Sequence, residues 1–267
     1  MFFTHLFDLP CLIVVLSAVG GSFIACGQNR KQFFRLAAIL CLPVGAVGSQ
    51  IGWVKMLSDM SNPDAFGPAS SVATLTIIYA FLLFPILLAM SSRYSSAPLD
   101  PDRSVRATQF KLWGGLSFIG MILLAAMFWK SNFLIYIDLG SILCIGLLVA
   151  IPTILNGPTQ TEETPFLSRC VAARNYSVVA SLSGLLIGSA GYLSGLDDPS
   201  SIEPSMALVL LTALYSGFII IGSTLAYQVY TQKEMPNSMM YIMGYMCVVL
   251  IGTLINNAII IRSFVGF

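Results

Sequence analysis

Apolar residues run along the chain in blocks of about twenty, separated by short polar stretches. An α-helix rises 1.5 Å per residue, so about twenty apolar residues cross a hydrocarbon layer ~30 Å thick. Eight blocks qualify: 9–27, 36–58, 69–91, 111–130, 135–156, 176–195, 204–230 and 239–261. The breaks are polar or carry Pro and Gly, among them GQNRKQFFR, SDMSNPDAFGP, LDDPSSIEP and TQKEMPNS. The pattern predicts an all-α integral membrane protein of about eight transmembrane helices. None of the breaks is long enough to fold as a separate soluble domain.

Composition agrees. Of 267 residues, 57% are hydrophobic and 9% charged, with a mean hydropathy of +0.85. Soluble domains carry roughly a quarter charged residues, so most of this surface does not face water. A net charge of +1 offers nothing to a nucleic acid. The N-terminal MFFTHLFD lacks a basic region, which reads as a retained first helix rather than a cleaved signal. His5, the single histidine, reads as interfacial. The six cysteines form no CxxC pair and no metal spacing, and read as buried structural thiols.

Charge sets the orientation. If the loops after spans one, three, five and seven are cytoplasmic, that side holds Arg30, Lys31, Arg35, Arg93, Arg103, Arg106, Lys111, Arg169, Arg174 and Lys233, ten of the thirteen basic residues. Both termini then lie outside the cytoplasm, and Asp59, Asp64, Asp197, Asp198 and Glu203 face outward.

The stretch LDDPSSIEPSMALVLLTALY (196–215) has a weaker echo in MSNPDAFGPASSVATLTIIY (60–79). A shift of 136 residues aligns 45–94 with 181–230 without a gap, and eleven of the fifty positions are identical, including Gly48/Gly184, Gly52/Gly188, Pro63/Pro199, Pro68/Pro204, Thr76/Thr212, Tyr79/Tyr215 and Tyr94/Tyr230. FDLPCLIVV (7–15) and IDLGSILCI (137–145) extend the match at an offset of 130. The shift maps an outside loop onto an outside loop, so the expected duplication is parallel. It divides the chain into a first repeat of three helices over 1–110, a second of four over 111–238, and a C-terminal helix over 239–267.

GAVGSQIGWVKMLSDMSNPDAFGPASSVATLTIIYA (45–80) and GLLIGSAGYLSGLDDPSSIEPSMALVLLTALYS (184–216) resemble the last two helices of the MotA/TolQ/ExbB family, the ion-channel subunits of bacterial motors and energy transducers. The D-D-P loop and the following helix of the second stretch carry the resemblance best, and FDLPCLIVV and IDLGSILCI look like the start of the preceding family helix. The likeness touches nearly the whole chain, through short and mostly apolar motifs. It implies a bacterial inner-membrane protein with both termini periplasmic. The order of helices departs from the family's: 111–130 would be a first helix for the second copy, and 239–261 is left over, either completing the first copy by circular permutation or added. The large cytoplasmic domain of the MotA branch is absent between these spans, which argues against a flagellar torque generator. Fusion of two copies is a further departure.

The resemblance also implies which residues meet an ion. Thr76 and Thr212 match the family's pore-lining threonine, and Ser49 stands at its other pore position, where the second copy has Leu185. Thr74, Tyr79 and Tyr215 are secondary candidates. Each has a plainer reading: a membrane threonine can bond its own i−4 carbonyl, and the tyrosines can pack between helices. The glycines at 45, 48, 52, 184 and 188 read as close helix approaches. Pro68 and Pro204 suit a first helical turn, Lys55 can snorkel, and Asn256 and Asn257 should face protein.

Asp8, Asp138 and the loop acids sit at the edges of the blocks and no Asp or Glu stands at mid-membrane, so a proton device would need its titrating carboxylate from elsewhere. The resemblance implies a MotB/ExbD-like single-span partner bearing an intramembrane aspartate, with a homo-oligomer around it. Two pore units per chain would give rings of four or six, whereas one pore unit and one buttress would keep five chains; we favour five. The alternatives are a small-molecule transporter, which broken helices would favour and the sequence does not suggest, and a structural scaffold. No nucleophile–base pair or metal set points to an enzyme, and no cofactor is expected.

Overall fold

The computed structural model describes residues 8–27, 29–58, 66–94, 105–129, 132–155, 164–194, 202–233 and 235–265. All regular structure among them is helical: α1 Leu9–Cys26, α2 Arg30–Ser58, α3 Phe66–Ser92, α4 Val105–Phe128, α5 Leu139–Ile145, α6 Ile151–Leu155, α7 Pro165–Ser194, α8 Ile202–Thr231 and α9 Ser238–Val265. Eight stretches of these residues are long and apolar enough to cross a membrane. They match the eight expected spans. His5, Asp59, Asp64, Lys130, Asp197 and Asp198 lie outside the described residues.

Local sequence explains the helix ends. Asp8 N-caps α1, with Pro10 in the first turn where no backbone donor is lost. Gly27 stops α1 at φ +61°, a conformation other residues resist, and its N–H reaches the Phe23 carbonyl at 3.1 Å. Pro68 and Pro204 both fall at the third residue of their helices, α3 and α8, as expected.

Two features depart from the sequence reading. The helix predicted to begin at 176 starts at Pro165, so Arg169 and Arg174 stand on α7 rather than in a loop. The fifth span is broken. It begins as a 3₁₀ turn over Phe133–Tyr136, restarts as α5 behind the cap Asp138, widens into a π-turn over Gly146–Ala150 and ends as α6. Pro152 lacks the N–H that would bond the carbonyl of Leu148, which is the local cause of the widened turn.

The core sits around α2, which is buried from Leu36 to Leu57 except at Lys55. Its neighbours are α1, α3, α8 and α9. The most extensive helix contacts join α2 to α3 and α7 to α8, while α4 lies against α1 and α8. Leu139, Ile142, Leu143, Leu147, Ile151 and Ile154 of the fifth span remain exposed, as a bilayer-facing stripe would.

Candidate functional site

Both predicted threonines lie where two helices touch through a glycine. A Cβ on Gly48 would fall 2.7 Å from Thr76 Cγ2, and one on Gly184 would fall 2.6 Å from Thr212 Cβ. One turn further on, Gly52 faces Ala73 and Gly188 faces Val209. Gly45 meets Ala80 in the same way. These are the close approaches expected of the glycines.

Neither threonine faces open space. Thr76 is 2% exposed and Thr212 0%. The Thr76 hydroxyl donates to the Val72 carbonyl at 2.9 Å, and the Thr212 hydroxyl to the Leu208 carbonyl at 2.6 Å. These are the i−4 bonds of the plainer reading. Ser49 is fully buried, and its Oγ has no hydrogen-bond partner among the described residues. Thr74 is exposed on the outer face of α3 and donates to Ser70 O at 2.8 Å.

The tyrosines have a definite role in the fold. The backbone N–H of Asp8 donates to the Tyr79 hydroxyl at 3.0 Å, and that of Asp138 to the Tyr215 hydroxyl at 3.4 Å. Tyr215 also donates to the Tyr136 carbonyl. Each tyrosine thus holds the start of a helix or broken span against the long helix carrying the threonine. Both aspartates accept from the side chain three residues on, and Asp138 alone also caps a backbone N–H, that of Ser141. Cys11 Sγ donates to Asp8 Oδ2, and Ser141 Oγ to Asp138 Oδ2, both at 2.7 Å. At the opposite end, Arg30 lies over the Tyr94 ring at 5.9 Å and Phe166 packs on the Tyr230 ring at 5.2 Å. The paired positions on α2/α3 and α7/α8 differ by 136 in number, and those at Asp8 and Asp138 by 130.

Other polar residues fall where the sequence did not put them. Lys55 does not snorkel outward: its Nζ donates to the carbonyls of Ala126 at 2.6 Å and Trp129 at 2.7 Å, closing the end of α4. Arg174 is 1% exposed. Its Nε and Nη2 donate to Asn175 Oδ1 at 3.1 and 2.8 Å, and its guanidinium covers the Tyr241 ring at 4.6 Å. A signal for this burial existed, since Leu167, Cys170, Arg174, Ser177, Ser181, Gly184 and Gly188 follow spacings of three and four and all are buried. Asn256 faces protein as expected, at 1% exposed. Cys11, Cys41 and Cys170 are buried thiols, whereas Cys26 and Cys144 are half-buried and Cys247 is exposed, against expectation. No cluster of metal-binding side chains occurs among the described residues.

No family model and no solved structure matches the chain. Two curated proteins are similar over short stretches. The chemotaxis protein PomA of Vibrio alginolyticus is 38% identical over 72 residues, 25% of this chain and 28% of that protein. Motility protein A of Cereibacter sphaeroides is 46% identical over 46 residues, 17% of this chain and 18% of that protein. The chain spans less than a third of the length of either relative in these matches. The likeness to this kind of motility protein is partial and distant.

Proposed function

We propose that this multi-pass membrane protein is an ion-channel subunit of a complex driven by a proton or sodium gradient in the bacterial inner membrane, built from two MotA-like units in one chain. The observation that carries the proposal is the recurrence of one contact set. Glycine against threonine, tyrosine hydroxyl against the start of the preceding helix and a side chain packed on a tyrosine ring at the far end (Arg30 on Tyr94, Phe166 on Tyr230) are made in α1–α3 and again from Asp138 to α8. Similarity to PomA and motility protein A supports the functional half of the reading.

In this reading the carboxylate comes from a single-span, MotB/ExbD-like partner, because the carboxylates on the spans, Asp138 and Glu203, stand at their ends. The candidates for the polar wall of the path are Thr76 and Ser49 in the first unit and Thr212 in the second, with Thr74, Tyr79 and Tyr215 next to them, and the unit that faces the pore supplies the wall. Their burial in the single protomer means that helix pairs must separate slightly, or pack anew against the partner, before an ion meets the hydroxyls. The near-complete burial of α2 favours one pore-facing unit per chain, and so five chains around the partner. Both termini are periplasmic.

A test isolates the tagged chain from its native membrane in mild detergent. A stoichiometric single-span protein with an intramembrane aspartate is the expected companion. In liposomes the chain alone should leave a pH gradient intact. A chain that purifies without such a partner and leaks protons by itself would refute the proposal.

The second reading, a small-molecule transporter, gains from one observation. The fifth span is interrupted by a π-turn ahead of Pro152, and broken helices are where transporters place their substrates. Uptake by the chain alone, without a partner, would select this reading.

A further inference from the structure

At the centre of the bundle α2 and α8 run antiparallel. Val47 lies opposite Gly217, whose added Cβ would fall 2.4 Å from Val47 Cγ2, and the Gln32 side chain donates to the Gln232 carbonyl. Both pairs of numbers sum to 264, so the register is constant along the seam. On α2, residues 36, 40, 43, 47, 50 and 54 share the face that carries Val47. On α8, residues 213, 217, 221, 224 and 228 share the face that carries Gly217. The register puts Thr224 opposite Leu40, Gln228 opposite Leu36, and Gln50 opposite Leu214.

Three polar side chains therefore point into a helix–helix seam at membrane depth. Gln50 and Thr224 are 1% exposed and Gln228 is 5% exposed. Gln50 Oε1, Thr224 Oγ1 and Gln228 Oε1 have no hydrogen-bond partner among the described residues. Pro43 stands on the same face of α2 and removes the N–H that would bond the Ile39 carbonyl, one residue from the level of Thr224. Between the two polar levels the Tyr245 hydroxyl, 0% exposed, sits against Gly217 and donates to the Ala213 carbonyl at 2.8 Å. The free groups are oxygens, so what they lack is a small donor or a cation. Leaving such a group dry costs about 1–3 kcal/mol, and buried polar sites of this kind hold water with 2–4 polar partners each.

We infer that the α2–α8 seam is an internal binding site for water, or for a monovalent cation on the same oxygens, formed within one chain. From Gln228 to Ala213 the seam covers sixteen residues of α8, roughly 22 Å at the helical rise. A polar track most of the way across the bilayer thus lies on a different face from the Gly–Thr contacts. Leu36, Leu40, Val47 and Ile221 interrupt it, so it stores small ligands without leaking. The inference stands whether or not the chain works with a MotB-like partner.

Radiolytic hydroxyl-radical footprinting of the chain in bilayers, in isotopically labelled water, tests it. Radicals form where water is bound, and Leu40 and Leu123 are both 0% exposed, with only Leu40 on the seam. Leu40 and Tyr245 should be oxidised several-fold more than Leu123, and the excess should vanish in the triple variant Gln50→Leu, Thr224→Val, Gln228→Leu. Repeating the measurement in sodium, potassium and choline salts separates the occupants. Labelling indifferent to salt assigns water, and labelling suppressed by one alkali ion assigns that cation. Equal oxidation of Leu40 and Leu123 in the wild-type chain in every salt overturns the inference.

Discussion

Gly48 admits Thr76 of α3 against α2, and Gly184 admits Thr212 of α8 against α7, yet the two pairs turn opposite members inward. In the first pair α2 is the buried helix and α3 presents Val72, Ile78, Phe81, Leu82 and Ile86 outward. In the second α8 is the more buried, and α7 presents Val179, Leu182, Leu186 and Ile187. The difference arises because α2 and α8 pack on each other. A contact repeated inside each pair does not require the pair to have the same neighbours. In the proposed function, similar internal contacts and different surroundings would let one pair face a partner while the other supports it.

Valine at the two glycines should separate the pairs most strongly. Gly48→Val drives into Thr76 and also into Val14, 2.7 Å from the added Cβ, with α2 enclosed on every side. We expect a loss of about 3 kcal/mol or more, at the upper end of overpacking costs. Gly184→Val meets Thr212 first, and α7 has an exposed outer face along which to shift, so about half that loss is expected. Thermal unfolding in detergent measures both. Equal losses would mean that the exposure of α7 gives no relief.

The tyrosines sharpen the comparison at lower energy. Tyr215→Phe removes a bond from Asp138 and one to Tyr136 at the start of a broken span, an expected cost of about 2 kcal/mol. Tyr79→Phe removes the bond from Asp8 at the start of an unbroken helix, for at least about 1 kcal/mol. Hydrogen exchange at the Asp8 and Asp138 amides should report each loss locally. An undisturbed Asp138 amide in Tyr215→Phe would show that the span start holds itself.

The smallest stability effect is expected at the threonines. Each hydroxyl bonds a carbonyl of its own helix, with Cys11 of α1 also beside that of Thr76, and valine keeps the shape that fits the glycine, so Thr76→Val and Thr212→Val should change stability by less than about 1 kcal/mol. Ion flux through the reconstituted complex should nevertheless fall in the double variant and in the single variant of the unit that faces the pore. Normal flux in the double variant, at normal expression, would remove both threonines from the path.

The spans were legible because bilayer thickness imposes a length that composition alone satisfies. The glycine–threonine approaches were legible only as a tendency. Gly48 and Thr76 are far apart in sequence, and which face of α3 meets α2 depends on the whole bundle. The burial of both threonines was not legible for the same reason. Arg174 was misplaced because counting basic residues by side assigns each to a loop, whereas the spacing that runs through Gly184 and Gly188 carries it into the interior. The break in the fifth span had a local signal, Pro152 six residues after Gly146, but tertiary packing decides whether a proline bends a helix or widens one turn.

Lys55 gives the bundle a mechanical property. Carried by α2, it holds the last carbonyls of α4, while near the same level the Tyr136 hydroxyl reaches the Ile51 carbonyl at 3.4 Å. At the other end Gln32 is tied to Gln232. The two halves of the chain are therefore pinned at both extremities, like a beam riveted at each end, and shear between them would have to break both sets of bonds. Force delivered to either half would reach the other through these bonds.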